Sequence, residues 1–274
     1  MILVLLLTGQ LLAAELGADA EVGFVFFGDS GTGGPAQLRV AKVVGEFCAT
    51  QRCDFLALLG DNFMPGGVSA TDDPQWQQKV VEPYSPLGLG IRPVLGNHDH
   101  YGDPAAQVQY SEQSEMWDMP TAYYAFELGP VAFFALDTQI MDRQQRRWLA
   151  RGLRHSEASW NIVYGHHPMR SGGVHGKARR PLRRISRLVE RHADFYLSGH
   201  DHHQQVIQDR ATYVVMGSGG SPPREVQGGD DTLYAASRRG FGHLLIDERR
   251  AVLTVMEANG APRFVQEYPV EDAR

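Results

Sequence analysis

The stretch VGFVFFGD (residues 22–29) is an apolar run that ends in a glycine followed at once by an aspartate. A short run of β-branched and aromatic residues without polar alternation reads as a strand buried on both faces. The same grammar returns four times: DFLALLGD (54–61), RPVLGNHD (92–99), NIVYGHHP (161–168) and DFYLSGHDHH (194–203). In each, the glycine is followed by Asp, Asn or His. Helical candidates lie between several of these runs, at about 35–49, 74–82, 142–153 and 178–191. Strands alternating with helices predict a largely parallel sheet.

In such sheets ligands bind along the edge formed by the carboxyl ends of the strands. Glycine supplies the backbone freedom for the turn and lets a ligand approach. Five strands would therefore deliver Asp29, Asp61, Asn97–His98, His166 and His200–His202 to one region. The C-terminal part reads differently. QVIQD, ATYVVMGS, GFGHLLIDE, AVLTVMEANG and PRFVQEYPV are short runs with turn signals and no helices between them. They predict an antiparallel meander. Two packed sheets flanked by helices, within one domain, are expected.

The chain has eleven histidines. Most gather in short patches: His98 and His100, His166 and His167, His175, and His200, His202 and His203. Their company of Asp29, Asp61 and Asn97 makes a set of nitrogen and carboxylate oxygen donors without thiolate. That set suits Zn, Fe, Mn or Co. It also exceeds what one tetrahedral ion uses, so two ions are expected. A pair of cations can activate water and clamp an in-line displacement at phosphorus. Histidines beside the metals could then protonate the leaving oxygen.

The blocks GDSG, GDN, GNHDH, GHHP and GHDHH, in this order, resemble the five signature blocks of the calcineurin-like metallophosphoesterases. Within them the chain is most similar to the small purple (tartrate-resistant) acid phosphatases, from about residue 22 to 205. The resemblance implies an α/β fold, a four-layer α/β/β/α sandwich of two mixed sheets flanked by helices. It implies hydrolysis of phosphate esters, as an acid phosphatase-like phosphomonoesterase, by metal-activated hydroxide at a centre of two ions (Fe, Zn or Mn). Carried over by position, Asp29 binds the first metal and Asp61 bridges both. Asn97, His166 and His200 complete the second site, and His202 returns to the first. His98 lies close to the phosphoryl group, and His175 in VHG assists the leaving group. His100, His167 and His203 flank the blocks and receive no role.

The pattern breaks at two positions. The purple enzymes carry a tyrosine three residues after the bridging aspartate, and its phenolate binds ferric iron and gives the colour. Here that position is Met64, whose thioether is a weak ligand for ferric iron. Other calcineurin-like enzymes use Asp-x-His in the first block, whereas DSG puts Gly31 at the histidine's place. The first site is left with Asp29, Asp61, His202 and water. A colourless protein with a looser first site is expected.

The bulk numbers suit an enzyme of this size. The chain has 274 residues, 43% hydrophobic and 21% charged, which is globular composition. A net charge of −6 gives no general attraction to nucleic acid or anionic lipid. The basic stretch GKARRPLRRISRLVERH (176–192) carries an apolar stripe of Leu182, Ile185, Leu188 and Val189 at helical spacing, so it reads as the solvated face of a helix. A substrate-attracting patch is the alternative. Residues 1–20 have the shape of a secretory signal, with an apolar stretch over 2–14 and small residues at Ala18 and Ala20. A secreted or periplasmic protein, with residues 21–274 as a single domain, is expected. Cys48 and Cys53 would form a small local disulfide in an exported protein and stay free in a cytosolic one.

Other readings fit less well. GDSGTGGP has the look of a serine-protease nucleophile block, but no histidine and aspartate precede it. The glycines of GTGGPAQL lack the lysine of a P-loop. A phosphodiesterase or nucleotide hydrolase on the same centre, or a non-catalytic metal-binding protein on the same fold, remain the alternatives. The expected partner is a small phosphate ester. No nucleic-acid scaffold role and no membrane span in the mature protein are expected, and oligomeric state is not legible.

Overall fold

The structure is a computed structural model that describes residues 21–176 and 180–270. The expected signal sequence lies outside the described residues. The elements run β1 (Val22–Phe27), α1 (Pro35–Cys48), β2 (Phe55–Leu58), α2 (Glu82–Tyr84), β3 (Gly90–Ile91) and α3 (Pro104–Tyr110). There follow β4 (Tyr124–Leu128), β5 (Val131–Leu136), α4 (Arg143–His155), β6 (Trp160–Gly165), α5 (Arg180–Arg183), α6 (Ser186–His192) and β7 (Phe195–Ser198). Six strands close the chain: β8 (Gln204–Gln208), β9 (Thr212–Met216), β10 (Thr232–Ala236), β11 (Gly240–Ile246), β12 (Arg250–Glu257) and β13 (Pro262–Pro269).

These strands form two mixed sheets. One has the order β13-β12-β11-β1-β2-β3, the other β10-β8-β9-β7-β6-β5-β4. Each sheet has a parallel part, β1–β2–β3 in the first and β5–β6–β7–β9 in the second. The expected runs supply β1, β2, β6 and β7; the sequence reading did not single out β5, and β9, read there as part of the antiparallel meander, instead pairs parallel to β7. The third run, RPVLGNHD, forms no regular strand of its own, because β3 ends at Ile91 just before it. Pro93 has no N–H to donate, yet Arg92 N and Val94 N still donate to Leu56 O and Leu58 O (2.9 Å each), so the chain keeps its course alongside β2.

The C-terminal meander is split between the sheets. β8, β9 and β10 join the second sheet, while β11, β12 and β13 cross to the first and pair antiparallel from β1 outward. Alternation along the buried strands sorts the layers. Phe133, Ala135, Ile162, Tyr164, Phe195 and Leu197 meet the first sheet, forming a core with Phe24, Phe26 and Phe55. Their neighbours Ala132, Phe134, Val163 and Tyr196 face the other way and pack under Leu149, Leu153, Leu182 and Val189 of α4–α6. The result is four layers, helix–sheet–sheet–helix, with α1 covering the first sheet through Val40 and Val44.

Cys48 and Cys53 are bridged, tying the end of α1 to the turn before β2. Among the described residues no helix is long and apolar enough to cross a membrane.

Candidate metal centre

Three of the strand ends break in the same way. Among the described residues, Asp29 (φ 56°), Asp61 (φ 54°) and His200 (φ 66°) are the non-glycine residues in the left-handed region. Each directly follows the glycine that ends its run. Left-handed backbone costs a residue with a Cβ roughly 1–2 kcal/mol. Such strain collects where geometry matters for function. The turns are locked by one another: His200 N donates to Asp29 Oδ2 (2.7 Å), and His98 N donates to Asp61 Oδ1 (2.9 Å). Gly96 is needed for the second contact, because a Cβ there would lie 2.1 Å from Asp61 Oδ1.

The six candidate ligands fall into two linked groups. His166 Nδ1 donates to Leu59 O (2.9 Å), which fixes the proton there. Its Nε2 then faces Asn97 Oδ1 at 3.1 Å, His200 Nδ1 at 3.2 Å and Asp61 Oδ1 at 3.4 Å. A single proton can serve only one of these acceptors well. A cation serves them all, since donors about 2.0–2.2 Å from an ion lie about 3.0–3.5 Å from each other. The second group pairs Asp29 Oδ1 with His202 Nε2 at 3.2 Å. Asp29 Oδ1 is fully buried and has no hydrogen-bond partner. A buried carboxylate oxygen without a partner is costly unless a cation meets it. Burial pushes the Asp29 carboxyl well above the usual range; His166 pulls it back, and Asp61 pushes it further up. Both groups fit metal ions, and Asp29, Asp61 and His166 also converge as a possible ion site of their own.

Met64 stands beside the Asp29–His202 group. Its N–H donates to Gly31 O (2.8 Å), and its sulfur accepts from Ser221 Oγ (3.3 Å), whose own N–H donates to Asp29 O (3.0 Å). Gly31 leaves no room for a side chain of any kind. A Cβ there would lie 1.9 Å from Asn62 O.

Two histidines flank the candidate ligands. His98 Nδ1 donates to Pro65 O (2.6 Å), leaving Nε2 free to face outward, 3.9 Å from Asp61 Oδ2. His175 Nδ1 donates to Asp201 Oδ1 (2.6 Å), and its ring lies 4.1 Å from that of His200. A cavity of about 400 Å³ opens here, lined by Asn97, Tyr101, His167, His175 and His200.

Sequence reading missed three residues. Asp99 is fully buried and accepts from the backbone N–H groups of Gly96 (2.7 Å), Phe63 (3.1 Å) and Asn62 (3.2 Å), so it ties two ligand loops together. Asp201, between two candidate ligands, holds His175 and also accepts from Ser171 Oγ. His167 is buried, bonded to Thr138 Oγ1 (2.8 Å), and lines the cavity rather than standing aside. His100 Nε2 lies 3.1 Å from Asp137 Oδ1, and His203 Nε2 lies 3.2 Å from Gln205 Oε1.

The model of the calcineurin-like phosphoesterase family matches residues 23–204, which carry all six candidate ligands together with His98 and His175. The chain belongs to the calcineurin-like phosphoesterases. Membership makes it a metal-dependent phosphoric ester hydrolase and implies a dinuclear metal centre. Among curated phosphoesterases, tartrate-resistant acid phosphatase type 5 of Oryctolagus cuniculus is 28% identical, over 98% of this chain and 97% of that protein. Among solved structures, GAP50, the anchor in the inner membrane complex of Plasmodium, superposes with a TM-score of 0.83 at 24% identity, covering 92% of this chain and 90% of its own. A purple acid phosphatase from yellow lupin (Lupinus luteus) gives 0.75 at 16%, over 91% of this chain and 54% of its own. These two show a shared phosphoesterase fold.

Proposed function

We propose that the chain is an acid phosphatase-type phosphomonoesterase with a dinuclear centre. Asp29, Asp61 and His202 hold the first ion, and Asp61, Asn97, His166 and His200 hold the second. The observation that carries this reading is the convergence of Asn97, Asp61 and His200 acceptors around His166 Nε2, next to the buried Asp29 oxygen that has no hydrogen-bond partner. When bound, two divalent cations supply water activation and neutralise charge on the phosphoryl oxygens.

The chain's own groups do the rest. His98, its Nδ1 engaged by Pro65, offers Nε2 to a phosphoryl oxygen. His175, its Nδ1 engaged by Asp201, offers Nε2 to the leaving oxygen and can pass it a proton. These two histidines support an enzyme over a metal-binding scaffold, which has no use for them. The cavity volume suits a small ester. Similarity over nearly the whole length of an acid phosphatase supports the monoester reading. The Cys48–Cys53 bridge supports export, because such bridges persist in oxidising compartments.

The test is turnover of an aryl phosphomonoester against a bis-aryl diester, before and after chelation. The monoester should be the better substrate, and chelation should stop both reactions. A faster diester would move the chain to the phosphodiesterases. Turnover indifferent to chelators would end the metal reading.

Met64 makes a separate prediction. Iron-loaded protein should be colourless, since no phenolate is placed at this position. Met64→Tyr should introduce a visible charge-transfer band and raise iron retention on dialysis. A coloured parent protein, or a colourless iron-loaded Met64→Tyr, would refute the assignment of this position.

A further inference from the structure

The net charge of −6 conceals a segregation. Residues 142–192 hold thirteen of the chain's 26 Lys and Arg and three of its 32 Asp and Glu, so this stretch is +10 and the remainder −16. In the fold, its helices α4, α5 and α6 form the outer layer over the second sheet. Arg143, Arg147 and Arg151 form one exposed row along α4, and Arg183, Arg187 and Arg191 a second across α5 and α6. Four-residue spacing puts Arg143, Arg147 and Arg151 on neighbouring turns of one face of α4, and Arg187 and Arg191 likewise on α6. The described arginines that form ion pairs are others: Arg52, Arg92, Arg170, Arg238, Arg250 and Arg263.

α4 and α6 pack against each other on the same sheet face. Packed helices lie about 8–10 Å apart, so the two rows make one broad basic face rather than a line. Beside Arg143, Arg147 and Arg151, the rings of Tyr123 and Trp148 lie 5.0 Å apart in the wall of a surface groove of about 780 Å³. Guanidinium forks match phosphate oxygens, and Trp and Tyr favour the headgroup level of a bilayer.

We propose that the α4–α6 face docks on an anionic phospholipid surface. Charge complementarity argues for an anionic partner, and breadth argues for a planar one. A linear polyanion would use one row and leave the other unmatched, whereas a sheet of headgroups engages both. The acidic remainder is repelled by the same surface, which selects a single orientation. The cavity opens at the strand ends, along the edge of this face: Gly176 lines both the cavity and the larger groove that includes Arg183. Substrate access is therefore kept while the helices are docked.

The test is sedimentation of the full chain with phosphatidylcholine vesicles, alone or doped with phosphatidylglycerol. The protein should bind the doped vesicles only and come off as salt is raised. The Arg147→Gln/Arg151→Gln/Arg187→Gln variant should partition on the order of 100-fold less, with aryl phosphate turnover in solution unchanged. Arg238→Gln/Arg250→Gln/Arg263→Gln makes the same change in net charge elsewhere and should bind as the parent does. The proposal is overturned if the parent ignores doped vesicles at low salt, or if both triple variants lose binding equally. Binding to a soluble polyanion such as heparin but not to vesicles also overturns it.

Discussion

Asp61→Asn should lower kcat/KM for an aryl phosphate by at least about 1,000-fold, a loss of about 4 kcal/mol of transition-state stabilisation. The same variant should retain less metal after gel filtration. Asp61 stands between the two groups of candidate ligands, with one oxygen 3.4 Å from His166 Nε2, and its charge reaches Asp29. Asparagine keeps the shape and tolerates left-handed backbone better than most residues. It removes the charge that would sit between two cations. The fold should survive, and the metal-free variant should be no less stable than the metal-free parent, because two buried carboxylates no longer repel. Thermal melts with and without chelator read this, and activity within tenfold of the parent would remove Asp61 from the centre.

Disturbing the Asp201–His175 pair should have the next largest effect. His175→Ala and Asp201→Asn should each cost about 100-fold on an ester with a poor leaving group and far less on a nitrophenyl ester. Burial alone would raise the Asp201 carboxyl, but hydrogen bonds from Ser171 and His175 outweigh it and hold it below the usual range. Asp201 therefore stays ionised in mild acid and keeps His175 turned with Nε2 outward. If Asp201 acts through His175, the double variant should be little worse than either single one. A uniform loss across leaving groups, or additive losses, would mean that Asp201 only supports the loop.

Much of this was legible in the sequence, for a physical reason. A buried strand, a glycine and a polar residue form a local motif, so four of the five runs reveal strands, and all five reveal the edge where Asp29, Asp61, Asn97, His166 and His200 meet; RPVLGNHD, interrupted by Pro93, runs beside β2 without becoming a strand. The destination of the C-terminal strands was not legible. β11 pairs with β1, and nothing local in GFGHLLIDE names that partner. Asp99 and Asp201 were hidden for a related reason. Each lies inside a block already read as ligands, and its role comes from N–H groups and a histidine brought in by other loops. The basic stretch could be counted, but only the packing of α4 beside α6 turned it into a face.

The close approach of Gly31 to the Asn62 carbonyl constrains how this lineage can change. A histidine at position 31 would have to push apart two loops that hold the first site together, so that ligand type is closed to single substitutions. Position 64 is the open door, yet converting a methionine codon to a tyrosine codon alters every base. The chain therefore sits on a plateau between the two ligand chemistries of its relatives, reachable from either only through intermediates that lack the extra ligand. Ancestral or sibling sequences should show varied residues at 64 long before anything but glycine appears at 31.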